Sequence, residues 1–477
     1  MLLPDQQPLS IAGWIAGLAS IVLAIPLVFS LHIHAALPLV LLGLVGFCLF
    51  FFLKPEQAVM SLLILRSGID IFSAQQVPAL FAIGLDGLAI AYIALMLATR
   101  QRVHTDRFFW FFAVWMALQS LWVVLLPLGG LGLGAGHTVT SLREWIRLFS
   151  WLMVYLIVLQ MRGKIHPQTV VNTLFLSLVL PLSVAMLQVC LPASALPGFL
   201  AHRGTAFTDI EGASRVNGTL GHPNALATFL VLFLGLTYWQ IGRSQRRWPW
   251  LIVMGLIVFF IINTKALVGL IMMGVLIISL ILPRLTVPKL VGGILLMALV
   301  VVLFGSTEFG RERLHLFTQM PFFNENLDVS RAILMRQYIN NSFYWRLEQW
   351  TMLLDAWREH PWLGYGFGSA SKLTYLENAA HNDYIRALVD GGIVGLVAFL
   401  GFLVGAAVHL VMQCCSQLST RPQVDLCLTL IAVLLAMLVG MITENIWSHT
   451  ALFFYWLTLI AITGWNWRSP VENHIES

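Results

Sequence analysis

The sequence predicts an all-α polytopic membrane protein with about 12–14 transmembrane helices and one large helical loop outside the bilayer. Three observations carry that reading. Hydrophobic residues make up 59% of the chain and charged residues only 10%, with a mean hydropathy of +0.84; a soluble globule cannot cover its surface with so few charges. Apolar runs long enough to cross a bilayer recur along the chain. The stretch from Asn341 to Gly392 then turns abruptly polar, packing charges, aromatics, Gly and His together.

About 20 apolar residues cross a membrane as a helix. By that rule spans fall near 11–31, 35–53, 57–75, 78–99, 108–127, 143–160, 169–192, 223–240, 250–263, 265–282, 290–305, 391–413, 424–442 and 450–466. The first run, from Ile11, lacks a basic leader, so no cleavable signal peptide is expected. Orientation follows from Lys and Arg in the short loops. Lys54, Arg100, Arg102, Arg107, Arg162, Lys164, Arg243, Arg246, Arg247, Arg284, Lys289, Arg421 and Arg468 fall on one side, thirteen of the 27 basic residues. That side is read as cytoplasmic, with both termini inside. The chain accordingly divides into N-terminal spans (1–192), central spans with an Arg-containing outer loop (193–305), the large outer loop (306–390) and C-terminal spans (391–477). The net charge of +5 is scattered among spans, so nucleic acid is not an expected partner. The five cysteines have no metal-ligand spacing, and neither a metal site nor an intramolecular disulfide is expected.

Within the polar stretch, Leu347, Trp350, Leu354 and Trp357 repeat at helical spacing and define one face of a helix over 343–360. Arg346, Glu348, Asp355 and Arg358 fall mostly off it. The helix should stop at His360-Pro361, since proline disfavours helical geometry in the residue before it. Gly364, Gly366 and Gly368 then permit a tight turn, and a second short helix is expected from about His381-Asn382 to Gly391-Gly392. The glycine run is no dinucleotide fingerprint, because no strand precedes it. His381 is either an exposed residue near a helix start or a working imidazole. Its counterpart His222 lies in a turn entering a helix with Pro223 first.

Several cations on the outer side have no topological reason to be there. Arg203 and Arg215 precede a span, Lys265 sits between two apolar runs almost without a loop, and Arg346 lies in the large loop. Each alone is accounted for by snorkelling to headgroups or a surface ion pair. Together they suit one cavity holding a diphosphate, with Arg in bidentate contact and Lys as a point charge.

The order Arg215, Gly221-His222-Pro223-Asn224, Asn263-Thr264-Lys265, Tyr344-Trp345-Arg346, His360-Pro361-Trp362-Leu363-Gly364-Tyr365-Gly366, His381-Asn382-Asp383-Tyr384 and Gly391-Gly392-Ile393-Val394-Gly395 resembles the O-antigen ligase and polymerase superfamily. The resemblance runs from about residue 200 to 410, and its specific part is the Pro-x-Leu-Gly-x-Gly turn followed by His-Asn. It implies a GT-C-like helical glycosyltransferase of a bacterial inner membrane. Such an enzyme moves a glycan from an undecaprenyl-diphosphate carrier to an acceptor hydroxyl on the periplasmic side, without a nucleotide sugar or obligatory metal. By position, His381 matches the family's catalytic His, and Arg215 and Arg346 match its diphosphate-contacting positions. Lys265 departs from the family's usual Arg, keeping the charge but not the fork. Arg203, His222, Asn224, Tyr365, Gly366 and Asn382 are the supporting candidates, and no cofactor is implied.

The chemistry suits these residues. A near-neutral His takes the proton of an attacking sugar hydroxyl, cations stabilise the leaving diphosphate, and a single displacement inverts the anomeric centre. Asp383 and Glu348 are candidates to orient His381 or a cation. The expected partners are a lipid-linked glycan donor, a glycan or lipid acceptor, the membrane, and envelope polysaccharide assembly proteins. Polymerase and ligase share these motifs, with a lean toward polymerase. The reading from another class, a small-anion transporter such as one for bicarbonate, predicts ionisable groups at midplane on broken helices and internal repeats. The notable cations lie at helix ends instead, and no repeat is visible.

Overall fold

Apolar runs opened by proline set where the helices lie. The computed structural model describes residues 43, 45–126, 128, 135–200, 215–282, 286–307, 310–311, 342–375 and 378–468. The span expected at 11–31, part of that at 35–53, Arg203 and most of 306–341 lie outside the described residues. Thirteen principal helices follow in order among those described: α1 (Pro55–Arg66), α2 (Val77–Ala98), α3 (Arg107–Leu125), α4 (Thr138–Leu159), α5 (Pro167–Cys190, with a 3-10 turn inside), α6 (Pro223–Ile241), α7 (Trp248–Asn263), α8 (Leu267–Ile281), α9 (Val287–Ser306), α10 (Ser342–Trp357), α11 (Asp383–Cys414), α12 (Arg421–Gly440) and α13 (Thr450–Thr463). Pro55, Pro167, Pro223 and Pro422 are among those in first turns, where a missing N–H breaks no intrahelical bond. No strand occurs among the described residues.

Six of these helices are long and apolar enough to cross a bilayer, and α7, α8 and α13 are shorter apolar helices of the same bundle. The chain is therefore an all-helical, multi-pass membrane protein. The element expected as a span at 57–75 is instead α1 followed by a 3-10 segment, Asp70–Gln75. The reason is ionic: Arg66, 3% exposed at its side chain, pairs with Asp70 at 2.6 Å, and the chain bends between them. The central helix is α6, buried along most of its length. It packs against α7, α8, α12 and α13, while α4 packs against α2, α3 and α13. By contrast α2 turns Leu80, Ile83, Ile90 and Leu97 outward, as a lipid-facing helix should.

Hydrogen bonds sort the connections to two ends of the bundle. At one end the Gln160 side chain brackets the His104 backbone, and the Trp239 indole donates to the Pro422 carbonyl. At the other end Asp383 N–H donates to the Met441 carbonyl and the Ser141 hydroxyl to the Phe367 carbonyl. The first end belongs to the Lys- and Arg-rich loops. The second collects 215–222, 264–266, 361–375, 378–382 and 441–449.

The short helix expected to end at Gly391-Gly392 does break there, with Gly392 at φ 64°, ψ −163°, and the helix of the span expected at 391–413 follows directly and runs to Cys414. The turn after Pro361 is what makes the break possible. Ile393 N–H donates to the Pro361 carbonyl, Val394 to Trp362, and Tyr365 and Gly366 N–H donate to the Val389 and Asp390 carbonyls. Backbone groups that the break leaves without helical partners thus find them in the Pro-Trp-Leu-Gly-Tyr-Gly turn. Two glycines allow the approach: a Cβ on Gly392 would lie 2.2 Å from the Trp362 carbonyl oxygen, and one on Gly364 2.3 Å from that of Val389. Beyond the break, 393–414 is long enough as a helix, about 33 Å, to cross the hydrocarbon alone.

Candidate functional site

Between the ends of α6, α10 and α11 the structure gathers most of the candidates around a residue the sequence reading passed over, Glu444. It lies on the short connection from α12 to α13, with its side chain 4% exposed. His381 Nδ1 is 3.2 Å from Glu444 Oε1, and Asn445 N–H donates to the same oxygen. The Asn224 amide donates to Oε2, which also faces Arg346 Nη2 at 3.9 Å. Arg215 completes the chain, donating through Nη2 to Asn224 Oδ1 at 2.9 Å and through Nε to the Thr264 carbonyl at 3.1 Å. The guanidinium therefore fixes the Asn224 amide with its oxygen toward Arg215 and its nitrogen toward Glu444.

Local sequence explains these positions. His381 occupies the left-handed region at φ 48°, unusual for a non-glycine residue, directly before the helix cap. Asn382 is that cap, accepting from Tyr384 and Ile385 N–H at 3.0 Å each. From the other side, α10 holds the segment before His381: the Gln349 amide donates to the Asn378 carbonyl and the Trp350 indole to that of Ala380. The Trp345 ring meets the imidazole edge-on, 5.5 Å between centroids. Lys265 also takes the left-handed region, φ 52°, in the tight turn between α7 and α8 whose Thr264 carbonyl receives Arg215.

The inner face of α10 is not the one its apolar spacing predicts. Leu353 and Gln349 are fully buried, whereas Leu354 is only half-buried. An apolar count misses Gln349, and including it turns the face by one residue, which carries Arg346 toward Glu444. The helix also ends at Trp357, earlier than Pro361 requires, because the chain already turns to bring the Trp357 indole onto the Pro361 carbonyl.

Neither carboxylate named as an orienting candidate reaches His381. Glu348 accepts from the Tyr375 hydroxyl. Asp383 accepts from Trp447 N–H at 2.8 Å and pairs with Arg386 at 3.0 Å. The other supporting candidates hold backbone. His222 caps α6, its Nδ1 accepting from Asn224 N–H at 3.1 Å. The Tyr365 hydroxyl bonds the Ala356 carbonyl and Glu359, and Gly366 serves the break in α11. Among the described residues no group of His, Cys, Asp and Glu is arranged to hold a metal ion.

Electrostatics set the state of the cluster. Burial pushes the Glu444 carboxyl up, but the hydrogen bond and charge of His381, with Arg346 and His449, overcome it and hold Glu444 well below the usual carboxylate range. Glu444 is thus ionised at neutral pH. Burial holds His222 and His449 down at about 4 against the attraction of the same carboxylate, so both are neutral. One signal for Glu444 was available in the sequence: it is the lone acidic residue in a short connection between two apolar spans.

The helical bundle thus carries one polar cluster at one end, His381, Glu444, Arg346, Asn224 and Arg215. Residues 262–400, which include Lys265, Arg346 and His381, match the family model described as O-Antigen ligase, a similarity that supports the O-antigen ligase and polymerase superfamily. A glycosyltransferase of polymerase or ligase type is the activity class that goes with it. No curated protein matches the chain.

Proposed function

We propose that this protein transfers a glycan from an undecaprenyl-diphosphate carrier to an acceptor hydroxyl on the periplasmic face of a bacterial inner membrane, inverting the anomeric centre. The observation that carries the reading is the His381–Glu444 pair, with Arg346 beside the same carboxylate and Arg215 joined to it through Asn224. An ionised Glu444 favours the tautomer with the proton on Nδ1, which leaves a lone pair on Nε2. That is the arrangement of a general base held by a carboxylate.

The reaction follows from these parts. Nε2 of His381 takes the proton of the acceptor hydroxyl as its oxygen bonds to the anomeric carbon. The bond from that carbon to the diphosphate oxygen breaks, and its electron pair leaves with the diphosphate. Arg215, Lys265 and Arg346 stabilise the charge that grows on the leaving group. Displacement in one step accounts for inversion. Eleven of the thirteen basic residues of the short loops have described side chains and gather at the opposite end, which supports a periplasmic position for the site.

The test is glycan transfer by purified protein in liposomes supplied with lipid-linked donor and acceptor. His381→Ala is expected to lower turnover by about 10²–10⁴-fold while undecaprenyl diphosphate binding persists. Wild-type turnover in that variant rejects His381 as the base. Loss of carrier binding moves it to the phosphate-binding groups.

A further inference from the structure

A second polar feature lies on a different wall of the same bundle end and takes no part in the reaction above. It is a cleft between α3, α4 and α11. Its floor is Trp115, Gln119, Phe399 and Trp447, all less than a tenth exposed. Its mouth carries Glu144 and Arg386, whose side chains are 28% and 13% exposed and stand 3.8 Å apart. Arg147 pairs with Glu144 from within α4 at 2.5 Å and holds the carboxylate at the mouth. The amide nitrogen of Gln119, in a residue 4% exposed, has no hydrogen-bond partner. A buried amide donor without a partner is costly, and in a cleft it marks a position where a ligand group accepts.

An apolar aromatic floor, with Trp447 packed edge-on against Trp115 and Phe399, and a carboxylate, a guanidinium and an amide around it suit a sugar ring, whose C–H groups meet the apolar floor while its hydroxyls meet the polar groups. An isoprenoid tail would leave the charged mouth unused. The cleft also joins the reaction centre directly. Trp447 lies on the same short connection as Glu444, and its N–H is held by Asp383, the partner of Arg386. The cations come from the 215–222 segment before α6, the α7–α8 turn and α10, whereas the cleft wall is built from α3, α4 and α11. In-line displacement needs nucleophile and leaving group on opposite faces of the anomeric carbon.

We infer that this cleft binds a sugar residue of the acceptor glycan, with Gln119 as a specificity-determining donor to one of its hydroxyls. The inference rests on the glycan-transfer reading for the assignment to acceptor rather than donor. The test measures apparent KM separately for each substrate in Gln119→Leu, with the full-length protein in liposomes. The acceptor KM is expected to rise about tenfold or more, as for the loss of a buried hydrogen bond, with donor KM and kcat changed by less than about threefold. Unchanged binding of glycan-free undecaprenyl diphosphate shows that the variant is folded; if it is not, Gln119→Asn, which keeps the amide but withdraws it, is read the same way. A rise confined to donor KM overturns the acceptor assignment, and no change in either overturns the cleft. Quenching of wild-type tryptophan fluorescence by the repeat-unit oligosaccharide, released from its carrier by mild acid, is expected independently of turnover. Quenching without transfer would reject the proposed reaction and keep the cleft; neither would reject both.

Discussion

Replacing Glu444 by Gln removes the charge that His381, Asn224 and Arg346 all address, with little change of shape. If the carboxylate acts through His381, Glu444→Gln is expected to cost about 10²-fold or more in kcat. Adding it to His381→Ala should cost little further, since residues acting as a unit are not additive. Additive losses in the double variant would separate the two. The neighbouring histidines make a second prediction. Burial holds His222 and His449 at about 4, below their ordinary 6.5. The unfolded chain therefore binds more protons than the folded one between those values, and stability falls as pH drops from 6.5 toward 4. Each contributes up to about 3 kcal/mol across that window. His449→Gln is expected to flatten the fall in melting temperature between pH 6.5 and 4; an unchanged slope would show that His449 does not set it.

Among the elements, the break in α11 carries the site, because it lets the Pro361 turn dock where a continuous helix would exclude it. Gly392→Ala would place a Cβ 2.2 Å from the Trp362 carbonyl in a positive-φ position, and both faults require the turn to move. A marked loss of thermal stability is expected, together with loss of transfer. Gly401→Ala, in the same helix with nothing within 4 Å of the added carbon, is the matched control and should be near neutral. Equal behaviour of the two would mean that the turn and the break are not coupled. The α12–α13 connection is the other decisive element: Met441, Glu444 and Trp447 touch the start of α11 at three points, through Asp383 N–H, the His381 ring and the Asp383 carboxylate.

For the whole molecule the testable property is sidedness. The Lys- and Arg-rich loops and the site cluster occupy opposite ends, so a probe on the segment of Ser369 and one at Ser477 should report opposite faces of the membrane. Because Ser369 itself is buried, the probe on that segment is a cysteine at the exposed Lys372; with membrane-impermeant labelling of intact cells, it is expected to label and a cysteine at 477 is not. Labelling of both would place the C-terminus outside and reverse the assignment of the loops; labelling at 477 alone would put the cluster on the cytoplasmic side and end the periplasmic mechanism.

Hydropathy, proline position and the Lys/Arg asymmetry were enough to read an all-helical membrane protein and nearly every described helix, because bilayer thickness imposes a length on each span whatever its neighbours are. His381, Arg215 and Arg346, which the fold brings around Glu444, could be singled out too, as polar groups in places where lipid or topology should exclude them. Glu444 was not. A carboxylate in a short turn looks like any solvated charge until the fold wraps it with His381, Asn224 and Arg346. The same holds for Gln349, which turns α10 inward, and for Gln119, which lines a cleft among α3, α4 and α11. The break at Gly392 and the span that follows it were both expected, since glycine pairs stop helices and 391–413 is apolar; that the two helices meet without a loop depends on backbone partners supplied by the Pro361 turn. Spacing along the chain reports what one helix can do alone. Which polar groups meet is decided by contacts between segments far apart in sequence, and those exist only once the bundle has formed.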